Sequence, residues 1–191
     1  MQQNIQLEQA QSILDAHCQP IGKETVGLKE ALGRVLAAGV EANEDIPPFD
    51  RSPFDGFAFR AADTQTASST NPVTLTIIEE VPAGYAPTKQ VTSGTAVKIL
   101  TGAPIPDGAD TVVKYEDTEF TATEVKLFSP AKSGENIVTA GEDVAKGTVL
   151  VEQGTVITAP ILGLLAALGL AEVVVYKRPR IAILSTGDEL L

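Results

Sequence analysis

Two short segments of this sequence combine acids, hydroxyls and glycines in patterns that could support a reaction. The first segment, Asp50–Arg60, alternates charged and aromatic residues around a proline and a glycine. Asp55 stands directly before Gly56, in a turn that follows a proline-rich linker, and such a turn can direct a carboxylate into a cleft. A solvated turn acid beside Arg51 or Arg60 is the alternative, and spacing alone does not separate the two interpretations.

The second segment, Leu100–Gly108, follows a run of β-branched residues. Thr101 and Gly102 begin a turn that Pro104 and Pro106 stiffen by fixing the backbone. The hydroxyl and the backbone N–H of Thr101 would lie where several donors can converge on an anion. A rigid turn without a ligand is the other interpretation.

Two pairs of adjacent acids are further candidates. They are Glu142-Asp143, after Gly141, and Asp188-Glu189, after Gly187. Paired carboxylates suit a hard cation such as Mg²⁺, or proton transfer. Adjacent acids are also common on solvated surfaces, so neither pair identifies a site by itself. The glycine patterns of phosphate loops and dinucleotide-binding loops are absent from the sequence.

Composition excludes several other kinds of site. The 191 residues include one cysteine, Cys18, and one histidine, His17, so an internal disulfide and a cysteine-cluster metal site are excluded. These two neighbours would not face each other on a helix, which argues against a nucleophile–histidine pair. A formal net charge of −11 disfavours nucleic acid and anionic membrane surfaces as partners. Without a signal peptide or a membrane-length apolar run, we expect a cytoplasmic protein.

Helices and short strands must position these residues. Apolar residues recur at helical spacing over 7–17, 28–36 and 161–168. Short β-branched runs between turn residues predict strands at 73–78, 96–100, 111–115, 124–128, 148–151, 155–157 and 173–176. The strands between residues 52 and 140 are typical of a small sheet closed into a barrel or a sandwich.

The last apolar run, Ile181–Leu184, leads into a turn that contains Ser185, Thr186 and Gly187. An apolar strand before such a turn is typical of the start of an α/β domain. No helix follows to cover that strand, so we expect the sequence to be the N-terminal part of a longer polypeptide.

Five segments, in this order, carry a resemblance that no single segment carries alone. They are DIPPFDRS at 45–52, DGFA at 55–58, ILTGAPIP at 99–106, GED at 141–143 and LSTGDEL at 184–190. The chain resembles the N-terminal half of the MoeA family of molybdopterin molybdenumtransferases, to which the E domain of gephyrin is related. The resemblance extends over essentially the whole chain.

The resemblance implies a multidomain α+β fold. Residues 1–51 and 141–178 would form a discontinuous, elongated linker and dimerisation domain with short helices and strands. Residues 52–140 would form an inserted, β-rich, barrel-like domain. Residues 179–191 would be the truncated start of an α/β pterin-binding domain, including its first strand. Family members form homodimers, and their active cleft lies between the β-rich domain of one subunit and the pterin domain of the other.

The resemblance also implies a reaction, in which molybdate is inserted into adenylylated molybdopterin with Mg²⁺ and release of AMP. The matching motifs make Asp55, Thr101, Asp143 and Glu189 the expected catalytic residues. The residues expected to bind substrate are Ser52, Gly56, Gly102, Ser185, Thr186, Gly187 and Asp188. We assign no metal ligand within this chain. We expect the chain alone to be inactive, because half of each cleft would be missing, and a molybdopterin adenylyltransferase is a further expected partner.

Two departures from the family pattern bear on substrate affinity. Members often read Ser-Ala-Met-Asp-Gly-Tyr-Ala where this chain has Pro53, Phe54 and Phe57, which stiffens the turn and removes a hydroxyl. Some members carry arginines where this chain has Val138-Thr139-Ala140. Three matters stay open: a gephyrin-like scaffold that binds partner peptides, a β-barrel module with an unknown ligand, and the choice between molybdate and tungstate.

Overall fold

The computed structural model describes residues 6–185, which divide into two compact units. The first unit combines the residues up to Glu41 with those from Val149 onward, and the second runs from Ala42 to Thr148. Residues 42–51 and 141–148, which the resemblance groups with the linker domain, fall within the second unit in this division, and the N–H of Asp143 donates there to the carbonyl of Ile46 (3.0 Å). The domain boundaries that the resemblance implies stay a prediction.

The first unit contains two helices and two short antiparallel ribbons. The helices are α1 (Leu7–His17) and α2 (Ala159–Ala167). One ribbon pairs β1 (Lys23–Gly27) with β10 (Glu172–Tyr176), and the other pairs β2 (Val40–Glu41) with β9 (Val149–Val151). Their core consists of Ala31, Leu36, Val151, Ile157, Leu165, Val173 and Val175.

The predicted helix at 28–36 is wrong. Only Leu28–Glu30 is helical, as one turn of 3-10 helix, and Gly33 then adopts a φ of +74° that ends any helical continuation. Val35 and Leu36 make isolated bridges to Val156 and Val175 instead. Leu36 thus reaches the core through a bridge and not through a helix, because packing overrides a short periodic pattern.

The second unit contains a six-stranded mixed sheet with the order β6-β3-β5-β4-β8-β7. The strands are β3 (Gly56–Phe59), β4 (Val73–Val81), β5 (Thr95–Ile99), β6 (Thr111–Lys114), β7 (Thr118–Phe120) and β8 (Glu124–Leu127). Neighbours are antiparallel except for the parallel pair β4–β5. The four strands predicted in this region are present, and the predicted α+β class is confirmed. Barrel closure of the sheet remains a prediction.

Strand β3 is an inner strand of this sheet, between β6 and β5, although the sequence pattern favours a turn there. All four of its residues are buried, and it pairs with β5 on one side and β6 on the other. Ala58 packs into one apolar cluster, whereas Phe57 and Phe59 pack into another on the opposite face. A short apolar run that is buried on both faces does not alternate in polarity, so periodicity does not reveal it.

The strand predicted at 181–184 is absent from the described residues. Ile181, Ile183 and Leu184 have no regular structure there and are 79%, 90% and 85% exposed. No strand of the described residues pairs with this segment, so its main-chain groups form no sheet hydrogen bonds there. Thr186, Gly187, Asp188 and Glu189 lie outside the described residues. Over residues 6–185, neither helix has the length and apolar character needed to cross a membrane.

Candidate functional site

Asp55 and Thr101 meet at one end of the central sheet. Asp55 directly precedes β3, and Thr101 lies two residues beyond the end of β5. The two strands are antiparallel, with Gly56 opposite Ile99, so the start of one adjoins the end of the other. Oδ1 of Asp55 accepts hydrogen bonds from the backbone N–H (2.8 Å) and the hydroxyl (2.7 Å) of Thr101. Two of the predicted catalytic residues are therefore in direct contact.

Two glycines allow this close approach of the backbone segments. A Cβ added to Gly56 would lie 2.0 Å from the carbonyl oxygen of Val113, so no larger residue fits without moving the strand. Gly102 adopts a φ of +83°, which turns the chain directly after Thr101. Both glycines were expected to bind substrate, and their observed geometry explains how they shape the corner around Asp55.

Ser52 joins the two segments from inside. Its side chain is 1% exposed, its N–H donates to the carbonyl of Ala103 (3.0 Å), and its carbonyl accepts from the N–H of Gly102 (2.9 Å). Its hydroxyl donates to the carbonyl of Phe54 (2.6 Å). Ser52 therefore holds the Thr101 turn against the Asp55 turn, and its substrate contact stays a prediction.

The Asp55 carboxylate is held in its charged form. Hydrogen bonds from the Thr101 N–H and hydroxyl, together with the positive charge of Lys98, lower its pKa, although slight burial opposes this. Both donors of Thr101 are directed to Oδ1, so neither is turned toward a bound anion. The described residues provide no hydrogen-bond partner for Oδ2, which can accept a hydrogen bond from a ligand or coordinate a cation.

Lys98 and Tyr115 also belong to this corner, and sequence reasoning missed both. Lys98 Nζ lies 3.2 Å from Glu80 Oε2 and 5.8 Å from the ring centroid of Tyr115. The Tyr115 N–H donates to the carbonyl of Asp55 (3.2 Å). The sequence signal that could have identified Lys98 is its position as a charged residue within the otherwise apolar run at 96–100.

The Tyr115 hydroxyl is buried and has no hydrogen-bond partner among the described residues. Burial, together with the negative charges of Glu80 and Asp55, raises the pKa of Tyr115 to about 12. The phenol is therefore neutral and carries a proton at physiological pH.

The Gly141-Glu142-Asp143 segment forms its own turn within the same unit. The N–H of Gly141 donates to the carbonyl of Pro47 (2.9 Å), and the N–H of Asp143 donates to that of Ile46 (3.0 Å). The Asp143 carboxylate is exposed. Over residues 6–185, no hydrogen bond or ion pair joins it to Asp55 or Thr101, so its catalytic role stays a prediction.

The remaining predicted site residues lie near the C-terminal end. Ser185 is exposed and has no regular structure. Glu189, like Thr186, Gly187 and Asp188, lies outside the described residues. In the part of the chain that the structure describes, no group of three or more His, Cys, Asp or Glu side chains could hold a metal ion.

Comparisons of the sequence with known proteins all match the same family. The family model for the MoeA N-terminal region (domain I and II) matches residues 5–169. The chain is 44% identical over 173 residues to a molybdopterin molybdenumtransferase 2 of Mycobacterium tuberculosis, covering 91% of this chain and 42% of the relative. It is 44% identical over 180 residues to the molybdopterin molybdenumtransferase of Bacillus subtilis, covering 92% and 42%.

Solved structures agree with this result. A molybdopterin biosynthesis MoeA protein from Pyrococcus horikoshii superposes with a TM-score of 0.84 at 36% identity, covering 92% of this chain and 45% of that protein. A second structure under the same name has a TM-score of 0.81 at 42% identity, covering 90% and 46%. The chain thus spans less than half the length of the relatives it matches.

Proposed function

Since this chain belongs to the MoeA family, we propose that it forms the N-terminal part of a molybdopterin molybdenumtransferase, an enzyme of molybdenum cofactor biosynthesis. The substrates are molybdate and adenylylated molybdopterin, and AMP is released. The observation that carries this proposal is the bidentate contact of Thr101 with Asp55, which presents a charged carboxylate at the end of the central sheet.

In this proposal Asp55 orients the substrate and is not the main proton acceptor. A general base works best when its pKa lies near the working pH, and the pKa of Asp55 lies below its ordinary value. Its free oxygen, Oδ2, accepts a hydrogen bond from an N–H, O–H or S–H group of the substrate. Thr101 is a positioning residue, because its hydrogen bonds fix the rotamer of Asp55.

Mg²⁺ is a proposed cofactor of the complete reaction. Such an ion typically takes one or two protein carboxylates together with phosphate oxygens of the substrate. Over residues 6–185 no group of three or more His, Cys, Asp or Glu side chains is placed to hold a metal ion, so these residues do not form a magnesium site on their own.

A homodimer is the proposed assembly, and exposed apolar side chains support it. None of the residues of α1 is buried, and Leu7 and Leu14 are 72% and 63% exposed. Apolar surface of this kind gains free energy when a second surface covers it. Light scattering on the chain measures its mass, and twice 20.0 kDa is the expected result. A mass of 20.0 kDa would contradict a dimer formed by this part alone.

Other parts of the proposal concern the complete enzyme. We propose that this chain alone is inactive, since the pterin domain would complete the cleft. An interaction with a molybdopterin adenylyltransferase and a cytoplasmic location also remain proposals.

Complementation of a strain that lacks the transferase tests the proposed function. The full-length gene should restore molybdoenzyme activity, and the Asp55→Asn variant should not. Asp107→Asn is the matched control, because Asp107 is an exposed acid of the same unit outside this corner. Full activity of the Asp55→Asn variant would remove Asp55 from the proposed site, and failure of the unaltered gene would contradict the transferase itself.

A further inference from the structure

A groove of about 610 Å³ opens on the sheet of the second unit, beside the Asp55 corner. Its lining comes from Ile77–Glu80 of β4, from Lys98 of β5, and from Phe120, Thr121 and Ala122 of the β7–β8 hairpin. The volume lies within the range typical of small-molecule sites.

One wall of the groove is an aromatic ring with an open side. Phe120 packs against Phe57 and Tyr115, with ring centroids 5.1 and 5.2 Å away, yet 46% of it stays exposed. The two neighbouring rings therefore support Phe120 from within and leave its other side to solvent. A supported, half-exposed ring is well suited to stacking on a flat aromatic ligand.

A second wall is an unpaired edge of β4. Strand β8 pairs with β4 only from Val73 to Thr76, and the Ile77 N–H then donates to the carbonyl of Thr123 (2.8 Å). Beyond Ile77 this edge has no strand partner among the described residues. The Val81 carbonyl accepts from the Leu100 N–H, on the β5 side (3.1 Å). The main-chain N–H and C=O groups of successive residues point to opposite edges of a strand. Since those of Val81 point to β5, those of Glu80 point to the unpaired edge, which faces the groove.

Charged groups lie between these two walls. The Glu80 and Lys98 side chains form an ion pair at 3.2 Å and remain 54% and 27% exposed. A carboxylate only accepts hydrogen bonds, so Glu80 selects for ligand N–H or O–H groups. Lys98 adds a positive charge on the side nearest Asp55, whose pKa it helps to lower.

We propose that this groove binds a flat aromatic ring bearing an exocyclic amino group, which stacks on Phe120 and donates to the Glu80 carboxylate. The inference rests on the proposed function and refines it, since adenine and pterin in adenylylated molybdopterin both have this chemistry. The ring would lie next to the corner where Asp55 presents Oδ2. Lys98 would offset part of the negative charge of the attached phosphate groups.

Amide NMR on the ¹⁵N-labelled chain tests this subsite directly. AMP and neopterin are titrated separately, with ribose 5-phosphate as a ligand that lacks the ring. At least one of the two rings should shift the amides of Lys98, Phe120 and Thr121, and ribose 5-phosphate should not. Shifts with AMP alone identify adenine as the ring, shifts with neopterin alone identify the pterin, and shifts with both identify their shared chemistry.

Variants then separate ring recognition from general effects. Phe120→Leu keeps an apolar side chain without an aromatic face and should weaken binding of the ring about tenfold. Glu80→Gln should also weaken it. The matched controls are Tyr85→Leu, at a 68% exposed aromatic residue outside the groove, and Glu119→Gln, in an exposed ion pair with Lys126 at 3.7 Å. Neither control should change the affinity.

Three results would overturn the proposal. They are a failure of both AMP and neopterin to bind saturably, binding of ribose 5-phosphate as tight as that of the rings, or an equal loss of affinity in the variants and the controls. These results are independent of the complementation by Asp55 variants. If complementation succeeds but neither ring binds in the groove, the subsite proposal is wrong and the transferase proposal stands. Conversely, ring binding in the groove without complementation by the full-length gene would contradict the transferase and leave the subsite intact.

Discussion

Oδ1 of Asp55 accepts both hydrogen bonds that Thr101 donates, at 2.8 Å from the N–H and 2.7 Å from the hydroxyl. Oδ2 has no hydrogen-bond partner among the described residues. One carboxylate oxygen thus anchors the side chain, and the other is available to a ligand. The contact also fixes the start of β3 against the turn after β5, so the site and the central strand pairing depend on the same two residues.

Thr101→Val should raise the pKa of Asp55 toward its ordinary value of 3.8. The substitution removes the hydroxyl donor and keeps the backbone N–H, so the charged carboxylate loses part of its stabilisation. A ¹³C NMR titration of the Asp55 carboxyl group measures the change. Thr101→Ser keeps the hydroxyl and should leave the pKa low. Equal pKa values in both variants would show that the hydroxyl does not stabilise the charge.

The same contact predicts a pH dependence of stability. A carboxyl group whose pKa is lowered by folding stabilises the fold fully above its unfolded pKa. The contribution of Asp55 is therefore present above about pH 4 and is lost as pH falls through the lowered pKa. The difference in unfolding free energy between the protein and Asp55→Asn should shrink over that window. A difference that stays constant with pH would contradict the predicted linkage.

Gly56→Ala should destabilise the second unit by about 3 kcal/mol, because overpacking a filled site typically costs about 1–3 kcal/mol and this contact is unusually close. The added methyl group would lie 2.0 Å from the carbonyl oxygen of Val113, between β3 and β6. Urea denaturation measures the loss. Gly163→Ala in α2 is the control, since nothing lies within 4 Å of its Cβ position. That change should stabilise the chain by about 0.5–1 kcal/mol.

Much of the sheet could be predicted from the sequence, because β4, β5, β6 and β8 are short runs between turn residues with β-branched or alternating residues. β3 could not, since its flanking Asp55 and Arg60 make the segment look like a charged turn. Without β3 the pairing of Gly56 with Ile99 is hidden. The sequence therefore indicated Asp55 and Thr101 as separate candidates but held no sign that they touch.

The parts of the corner that escaped prediction depend on tertiary contacts. Lys98 reaches Glu80 through the parallel pairing of β4 and β5, which no local pattern specifies. Tyr115 reaches Asp55 through a backbone hydrogen bond across the sheet. The helix expected at 28–36 failed for a related reason, since Leu36 is buried by a bridge to Val175.

Arg34→Met should destabilise the first unit by about 2 kcal/mol, as loss of a buried charged hydrogen-bonding group does. Arg34 is 9% exposed, pairs with Glu24 and donates to the carbonyl of Tyr176 (2.8 Å). Removing it leaves that carbonyl without its side-chain donor. Lys126→Met is the control, because its pair with Glu119 is exposed and should cost about 0.5 kcal/mol or less. Urea denaturation measures the free energy of unfolding of both variants. An equal loss in Arg34→Met and Lys126→Met would contradict a special role for Arg34.

Tyr115 should ionise only near pH 12, well above an ordinary tyrosine. An ultraviolet titration of the three tyrosines should show one late transition, and Tyr115→Phe should remove it.

The raised pKa of Tyr115 means that the folded state holds the phenol proton more tightly than the unfolded chain does. Stability should therefore fall as pH rises from about 10, where the unfolded chain loses this proton, to about 12. Tyr115→Phe should lack that decline and retain full stability at neutral pH, because the buried hydroxyl has no partner to lose among the described residues. A loss of stability at neutral pH would instead reveal a hydrogen bond to that hydroxyl.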